Sequence, residues 1–419
     1  MLDLKLIRDD PDGVRAALAR RGPAAAAALD RVIALDERRR RLLPELEGLR
    51  AEQNEANVRI REAGDAAERA SEIDAMRAVA ARAKELEREV GEVELELHGA
   101  LTPLPNLPDP SAAPGPEDEL VREIGATGEL DFEPRDHLEL AGEAIDMDRA
   151  ARLSGSRFAY LKGELVMLEL ALVRWALEKL RRHGFEPVIP PVLVRERALF
   201  GTGFLPDTEQ QLYSLPADEL FLVGTSEVAL ASLHDGEIID GERLPVRYAG
   251  FSPCFRREAG AAGRDTRGIF RVHQFDKVEM FSFVAPEESE REHELILAIE
   301  EEIMRELGLP YRVMNIAVTD LGNSAAKKYD CEAWLPSQGR YRELTSCSNT
   351  TDYQARRLNI RMRDGKRTRT VHTLNGTAVA VGRTIVALLE NGQRADGSVV
   401  LPPSLRPYGA PAVLSPRAQ

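Results

Sequence analysis

The stretch Cys254-Phe255-Arg256-Arg257-Glu258 and, after a glycine-rich loop, residues 268–283 predict two β-strands that form a hairpin. Side chains two positions apart on a strand share a face, so Arg256 and Glu258 point the same way. By the same alternation, one face of the second strand carries Arg271, His273, Phe275, Lys277 and Glu279. A single sheet surface therefore combines arginines, glutamates and an aromatic ring.

This combination predicts a site for a nucleoside triphosphate and a small substrate that carries an ammonium group. Arginine forks bind phosphate, aromatic rings stack on flat or cationic groups, and carboxylates hold an amine or a metal ion. The alternative is a solvated amphipathic hairpin with surface ion pairs. The connecting loop, residues 259–267, is rich in glycine and arginine. It is therefore unlike a tight hairpin turn, and it predicts a mobile segment that contacts an anion.

Composition narrows the class of protein. The 419-residue chain has 43% hydrophobic residues, enough for two or three domains, and a net charge of −14. That charge argues against a general polyanion binder but allows a specific nucleic acid that meets local basic patches. No apolar run approaches the length of a transmembrane helix, so we expect no membrane partner. Three cysteines without CxxC spacing favour the reducing cytoplasm and predict neither disulfides nor a protein-held zinc site.

Residues 1–100 are rich in Ala, Arg, Glu and Leu and carry two heptad series. The first is Leu35, Leu42, Leu49 and Ala56, and the second is Met76, Ala83, Val90 and Leu97. A break at Gly64-Asp65 separates them, so they predict an antiparallel helical hairpin with helices of roughly 50 Å that projects into solvent. We expect a kink or a helix restart at Pro44. Periodicity alone equally fits a dimerisation or spacer element.

Composition also predicts the remaining boundaries. Residues 101–119 form a stiff linker, since six prolines lie within residues 101–116. A mixed α/β domain spans residues 120–403, and residues 404–419 form a disordered tail. Within the domain, residues 163–183 predict an amphipathic helix. The following residues 185–194 predict a strand that prolines confine to a sheet edge.

The hairpin sequence resembles motif 2 of class II aminoacyl-tRNA synthetases, in the form found in seryl-tRNA synthetases. The resemblance extends from Met1 to about Pro403. It implies an α+β fold, with an N-terminal antiparallel coiled-coil arm that binds tRNA and a catalytic domain built on an antiparallel sheet flanked by helices. Residues 163–194 resemble motif 1, which implies a homodimer whose interface centres on Pro191.

The resemblance also implies a serine site. Thr225, Ser226 and Glu227 resemble the TxE element that receives the amino group of serine, and Glu279 and Thr377 complete the pocket. The alternative for residues 225–227 is a helix N-cap followed by an acidic first turn. Both interpretations hold together if Glu227 faces the pocket.

An ATP site is implied next to it, by Arg256, Arg257, Glu258, Arg271, Val272, Phe275, Glu343, Leu344, Thr345, Ser346 and Arg383. In the family pattern, Arg256 contacts the α-phosphate and the substrate carboxylate, and Arg271 approaches the terminal phosphates. Glu258 contacts the adenine amino group, while Phe275 stacks on the ring.

Glu343 and Ser346 match the family residues that hold Mg²⁺ together with ATP, and oxygen ligands suit that ion. The two residues have opposite parity on a regular strand, so their use at one site requires a bulge. The alternative is a Ser/Thr-rich edge strand without a metal.

Residues 373–385 resemble motif 3. We expect a buried helix from about Ala378 to Glu390, in which Arg383 needs an anion. The resemblance places Arg383 against the γ-phosphate and the adenine, opposite Phe275, whereas a buried salt bridge to a glutamate is the alternative. Residues 200–206 are expected near a loop that orders over the amino acid.

The resemblance implies serine–tRNA ligase activity in which Arg256, Arg383 and Glu343 carry catalysis, and the cysteine content favours a cytoplasmic location. The partners would be ATP, L-serine and serine tRNA, and the use of selenocysteine tRNA stays open. Arm arginines would meet tRNA phosphates; the candidates are Arg38, Arg39, Arg40, Arg41, Arg50, Arg59, Arg61 and Arg69. Two alternatives are a ligase that loads an amino acid onto a carrier protein, and a catalytically inactive relative that acts in binding or regulation.

Overall fold

The computed structural model describes residues 1–128, 130–206, 211–259, 265 and 267–416. The chain divides into two compact units. One is helical and consists of Leu2–Pro105, and the other consists of Met1 with residues 106–419. We call the first the arm unit and the second the catalytic unit.

The arm unit contains four helices: α1 (Leu4–Asp9), α2 (Pro11–Arg21), α3 (Pro23–Glu62) and α4 (Ala66–Leu101). Helices α3 and α4 pack antiparallel. Two ion pairs show this orientation: Arg38 pairs with Glu89, and Arg59, further along α3, pairs with Glu72, which comes earlier in α4. The heptad positions form the seam, with Leu35, Ala83 and Val90 buried. The predicted helical hairpin is thus confirmed.

The turn falls where the sequence predicts it, between Glu62 and Ala66. Asp65 caps α4 by accepting hydrogen bonds from the backbone N–H groups of Ala67 and Glu68, both at 2.8 Å. The expected restart at Pro44 is wrong, since α3 continues through that proline.

The helices of the catalytic unit are α5 (His137–Ala141), α6 (Met147–Ser154), α7 (Glu164–Arg182), α8 (Glu196–Thr202), α9 (Glu227–Ala231), α10 (Ser289–Glu306), α11 (Tyr353–Arg357) and α12 (Val381–Asn391). Its strands are β1 (Glu119–Ile124), β2 (Ile145–Asp146), β3 (Tyr160–Leu161), β4 (Glu186–Val188), β5 (Leu193–Val194), β6 (Tyr213–Leu215), β7 (Leu220–Leu222), β8 (Ile238–Asp240), β9 (Val246–Phe255), β10 (Gln274–Val284), β11 (Tyr311–Asn315), β12 (Lys327–Leu335), β13 (Arg340–Thr351), β14 (Arg361–Asp364), β15 (Arg367–Thr370), β16 (His372–Ala380), β17 (Val399–Val400) and β18 (Val413–Leu414).

An eight-stranded sheet in the order β1-β11-β12-β13-β16-β10-β9-β4 forms the centre of this unit. All neighbouring strands are antiparallel except β4, which lies parallel to β9 at one edge. Helices α7, α10 and α12 bury their apolar sides on the sheet, with Leu168, Ile296 and Ile385 inaccessible to solvent. The antiparallel sheet flanked by helices confirms the predicted fold class, and β4 confirms the predicted edge strand.

Two of the bulges in the ladder lie next to predicted site residues. In β13, Glu343 pairs with Glu332 and Thr345 pairs with Cys331, so Leu344 is the extra residue. In β16, Thr377 pairs with Glu279 and Val379 pairs with Val278, so Ala378 is the extra residue. The first is the bulge that the opposite parity of Glu343 and Ser346 requires.

Several local predictions are wrong. The second hairpin strand begins at Gln274, so Arg271, Val272 and His273 precede it. The motif 3 helix begins at Val381, because Ala378–Ala380 belong to β16. The predicted tail is ordered as far as residue 416, since β18 pairs with β17.

The proline-rich segment is not a free spacer along its whole length. From Asn106 onward it belongs to the catalytic unit. The buried Asn106 side chain donates hydrogen bonds to the carbonyl oxygens of Ser324 (2.9 Å) and Thr350 (2.8 Å). These bonds fix the start of the unit without regular secondary structure.

Candidate active site

The first wall of the site follows strand β7. Thr225 Oγ1 accepts a hydrogen bond of 3.2 Å from the backbone N–H of Glu227, the first residue of α9. Ser226, at the N-cap position of α9, makes no side-chain capping hydrogen bond, while the Glu227 side chain borders the site. Ser226 is buried against Gly250 of β9, the cross-strand partner of Glu279.

Glu227 is held by two amides that the sequence analysis missed. Its Oε1 accepts hydrogen bonds from Gln354 Nε2 (2.7 Å) and from Asn375 Nδ2 (2.8 Å). Burial, together with the nearby charge of Glu279, raises the pKa of Glu227 to about 7. Gln354 lies 127 residues away in the sequence, so no local pattern signals it.

Glu279 lies opposite Thr377, its partner across the β10–β16 ladder. Lys277, two residues before Glu279 on the same face, forms an ion pair with its carboxylate and donates a 2.7 Å hydrogen bond to Thr225 Oγ1. The Lys277 and Glu279 side chains are only 7% and 3% exposed. The serine-site residues predicted from the sequence are thus brought together around a lysine to which no role was given.

The arginines at the hairpin are fixed by backbone and carboxylate oxygens. Arg256 Nε donates to the carbonyl oxygen of Gly224 at 3.1 Å, and its guanidinium lies 5.3 Å from the centre of the Phe275 ring. Arg271 Nη1 donates to Glu258 Oε2 at 2.6 Å. Both guanidinium groups thus have fixed orientations, as binding of several phosphates requires.

The bulge at Leu344 brings the Glu343 and Ser346 side chains to one side of β13. Beside them is Asp330, whose buried Oδ1 lies 3.1 Å from Lys328 Nζ. Burial raises the pKa of Asp330 to about 6. Two carboxylates and a hydroxyl form an oxygen-donor set of the kind that Mg²⁺ prefers, so these residues fit the predicted ion.

Arg383 extends from the first turn of α12 toward the same place. Its Nη1 donates to the carbonyl oxygen of Glu343 at 3.0 Å and lies 3.4 Å from Glu343 Oε2. The guanidinium packs over the Phe270 ring at 4.9 Å, a contact that the sequence analysis missed. The arginine thus meets a glutamate, and that glutamate is itself a predicted site residue.

These groups line two adjoining cavities. The larger, of about 600 Å³, is bordered by Glu227, Asn375 and Lys328. The smaller, of about 60 Å³, is bordered by residues around the Phe275 ring, which are Ile269, Phe270, Val272, Phe275, Lys277, Glu343, Leu344, Thr377, Ala380, Gly382 and Arg383. Arg256, Glu258 and Arg271 line both cavities, so the two spaces form one groove.

Some predicted residues lie elsewhere. Arg257 is exposed and borders neither cavity. Thr345 points to the opposite side of the sheet, where its hydroxyl donates a 3.0 Å hydrogen bond to the buried Glu300. Thr202, Gly203 and Phe204 border the larger cavity, as expected for residues 200–206. Most of the loop 259–267 lies outside the described residues.

No helix in the described part of the chain is long and apolar enough to cross a membrane. Within the same residues, no group of three or more His, Cys, Asp and Glu side chains is arranged to hold a metal ion. The three cysteines are buried and unpaired.

Comparison with known proteins matches residues 1–108 to the seryl-tRNA synthetase N-terminal domain and residues 213–392 to the tRNA synthetase class II core domain (G, H, P, S and T). The serine–tRNA ligases of Streptomyces coelicolor and Acidothermus cellulolyticus are each 51% identical to this chain, and each alignment covers 100% of both chains. The seryl-tRNA synthetase of Pyrococcus horikoshii, solved with ATP, superposes with a TM-score of 0.94, at 43% identity and 100% coverage of both chains. The cytoplasmic serine–tRNA ligase of Naegleria fowleri, solved with AMP, gives 0.89 at 31% identity, covering 100% of this chain and 99% of that one.

The raised pKa of Glu227 predicts a pH-dependent stability. Between roughly pH 4.5 and 7 the folded chain keeps a proton that the unfolded chain releases, so the free energy of unfolding falls as pH rises through this window. Glu227→Gln should remove up to about 3 kcal/mol of that fall. Urea unfolding at pH 5 and pH 8 measures the difference in the free energy of unfolding between the two pH values. The control is Glu242→Gln, which changes an exposed carboxylate. Parallel pH profiles for the parent and Glu227→Gln would contradict the assignment.

Proposed function

The chain belongs to the seryl-tRNA synthetase family, and from that premise we propose that the groove around Arg256 carries out both steps of serine–tRNA ligation. The enzyme activates L-serine with ATP to seryl-adenylate and pyrophosphate, and then transfers the seryl group to tRNA. The observation that carries the proposal is the placement of Arg256 between the two cavities. One guanidinium can there contact both substrates.

In the first step the serine carboxylate attacks the α-phosphorus of ATP in line, and pyrophosphate leaves. Arg256 neutralises the charge that develops on the α-phosphate, while Arg271 and Arg383 meet the outer phosphates. Phe275 stacks on the adenine, and Glu258 accepts a hydrogen bond from its amino group. In the second step the 3′-terminal adenosine hydroxyl of tRNA attacks the seryl carbonyl and AMP leaves. Catalysis arises from positioning rather than from a protein nucleophile.

Glu343 and Ser346 are the residues that would hold Mg²⁺ with ATP. The bound ion would neutralise phosphate charge. Burial alone would raise the pKa of Glu343, but Arg383, Lys328 and Arg256 together lower it, so the carboxylate is charged at neutral pH.

Selection of serine rests on the polar end of the groove. Thr225, Glu227 and Glu279 bind the substrate ammonium, and Thr377 lines the space for the hydroxymethyl group. A pocket built to hydrogen-bond the substrate hydroxyl rejects alanine, because its own polar groups would be left unpaired. Serine tRNA is the proposed acceptor.

The alternatives have less support. A carrier-loading ligase has no use for a tRNA arm, whereas residues 1–108 match the seryl-tRNA synthetase N-terminal domain. An inactive relative is expected to have lost Arg256, Glu279, Glu343 or Arg383, and this chain has all four.

Within the arm, the contacts of the candidate arginines separate them into three groups. Arg38, Arg39, Arg50 and Arg59 are paired with glutamates of α4. Arg69 donates to backbone carbonyl oxygens. Arg40, Arg41 and Arg61 are exposed and form no ion pair with a described side chain. These three are therefore the residues we assign to tRNA phosphates.

A homodimer in the cytoplasm completes the proposal. Helix α7 and the segment after it expose apolar side chains, with Met167 at 47%, Leu170 at 56% and Ile189 at 82%. A patch of this kind marks a protein interface. Three buried, unpaired cysteines are consistent with a reducing compartment.

The activation step predicts serine-dependent exchange of pyrophosphate into ATP. Arg383→Gln should lower the exchange rate by about 100-fold or more, because the phosphates lose a fixed cation. Arg394→Gln, at an exposed arginine that borders neither cavity, should leave the rate unchanged. Absence of exchange in the parent would refute the proposed function, and an unchanged rate in Arg383→Gln would refute the role of that residue.

The arm assignment predicts a defect in tRNA binding alone. The triple variant Arg40→Gln, Arg41→Gln and Arg61→Gln should raise KM for serine tRNA about tenfold and flatten its salt dependence, while pyrophosphate exchange stays at the parental rate. Arg88→Gln removes an arm arginine that is paired within its own helix and serves as the control. Equal tRNA kinetics in the triple variant and the control would exclude these contacts.

The dimer is tested by sedimentation of the full chain. Leu170→Glu should shift the sedimentation coefficient from dimer to monomer, because a charge would be buried in the apolar interface. Leu95→Glu, on the arm, places the same charge on a leucine that is 75% exposed. A monomeric parent, or a Leu170→Glu variant that sediments as the parent does, would reject the interface.

A further inference from the structure

Lys277 is a buried lysine inside the groove for which the reaction described above has no use. Its ammonium is paired with Glu279 and donates to Thr225 Oγ1 at 2.7 Å, and its side chain is 7% exposed. Burying a charged amine is costly, so a buried lysine normally has a structural or functional reason.

The two partners of Lys277 are the groups proposed to bind the serine ammonium. This inference therefore rests on the proposed function. A lysine ammonium and the α-ammonium of an amino acid are the same chemical group, with three donors and one positive charge. They need the same acceptors at the same distances, so both cannot occupy Thr225 Oγ1 and the Glu279 carboxylate together.

The Lys277 ammonium can also reach a second position, in the small cavity. Besides contacting the serine end, it lines the small cavity together with Arg256 and Phe275. Its flexible four-carbon stem allows the ammonium to move several ångströms while the backbone stays paired with Ser252 and Ala380. The space it would enter is the one assigned to the α-phosphate and the substrate carboxylate, both negatively charged.

We propose that Lys277 is a positioning residue that occupies the serine-ammonium site when the pocket is empty and is displaced toward the α-phosphate when serine binds. The lysine keeps Glu279 and Thr225 in place between turnovers. Once displaced, its charge stabilises bound ATP. Serine and ATP therefore bind with positive coupling, and Lys277 carries that coupling.

The proposal fixes the sign of the coupling free energy between serine binding and ATP binding. Serine alone must break the Lys277–Glu279 pair, so its affinity in the absence of nucleotide is reduced. When ATP is bound, its α-phosphate is a new partner for the released ammonium, so part of the lost affinity for serine is regained. By linkage, serine must strengthen ATP binding by the same factor.

The test is calorimetric titration of L-serine into the full chain, with and without an ATP analogue that carries a methylene bridge between the α- and β-phosphates. In the parent, the analogue should lower Kd for serine by about fivefold or more. In Lys277→Met, serine alone should bind more tightly than to the parent, and the analogue should change Kd by less than about twofold.

A purely structural lysine gives the opposite result. Lys277→Met would then bind serine more weakly than the parent, by the same factor with and without the analogue, and that outcome would overturn the proposal. Lys179→Met is the matched control. Lys179 is also buried and paired, with Glu302 at 2.7 Å and Glu306 at 2.6 Å, but it does not border the groove. Its loss should leave the coupling intact.

A second variant keeps the proposal testable if Lys277→Met unfolds. Lys277→Gln retains a donor for Thr225 but lacks the charge, so it too should lose the coupling. Coupling at the parental value in Lys277→Gln would also overturn the proposal. Failure of the proposed function itself would look different, because the parent would then show no serine-dependent pyrophosphate exchange. Parental exchange with coupling that is unchanged in both Lys277 variants rejects only the inference about Lys277.

Discussion

The backbone ladder that joins β10 to β9 and β16 is the constraint on which the site depends. It sets Glu279 opposite both Gly250 and Thr377 and places Lys277 beside Ser252. A strand paired on both sides cannot slide, because a shift of one residue would turn every side chain to the other face. The polar residues of the groove are thus held in register by backbone hydrogen bonds that extend well beyond the site.

The two bulges let this rigid ladder carry chemistry that a regular ladder would not. On an unbroken β13, Glu343 and Ser346 would point to opposite faces, and the extra residue Leu344 brings them together. Thr345 in turn faces the other side and is tied to Glu300 of α10. The same insertion therefore places the carboxylate that we propose to face the phosphates, and it ties the sheet to the helix behind it.

Charge balance is the second constraint on the groove. Glu227 and Glu279 are both buried, and of the two only Glu279 forms an ion pair with Lys277. A second buried carboxylate without a cation is costly, and the pKa of Glu227, raised to about 7, reflects that cost. A substrate that brings an ammonium group resolves the imbalance. The charges of this pocket are thus suited to an ammonium group, which supports the proposed serine site.

The sequence predicted those parts of the site that depend on local order. Alternation along β10 correctly grouped Phe275, Lys277 and Glu279, and opposite parity correctly required the bulge at Leu344. It missed Gln354 and Phe270, because contacts between distant segments leave no periodic signal. The boundary at Val381 was misplaced because Ala378–Ala380 are apolar, and a short apolar run fits a buried helix as well as a strand.

The arm unit differs from the groove, because its charges are balanced by ion pairs within the unit itself. Ion pairs such as Arg38 with Glu89 and Arg50 with Glu87 join α3 to α4. Each exposed pair contributes little stability, but together they oppose a slip of one helix along the other. An arginine that is already paired must lose its glutamate before it binds a phosphate. An acidic chain can therefore carry many arm arginines without attracting every polyanion, while the few unpaired ones are those we propose to contact tRNA.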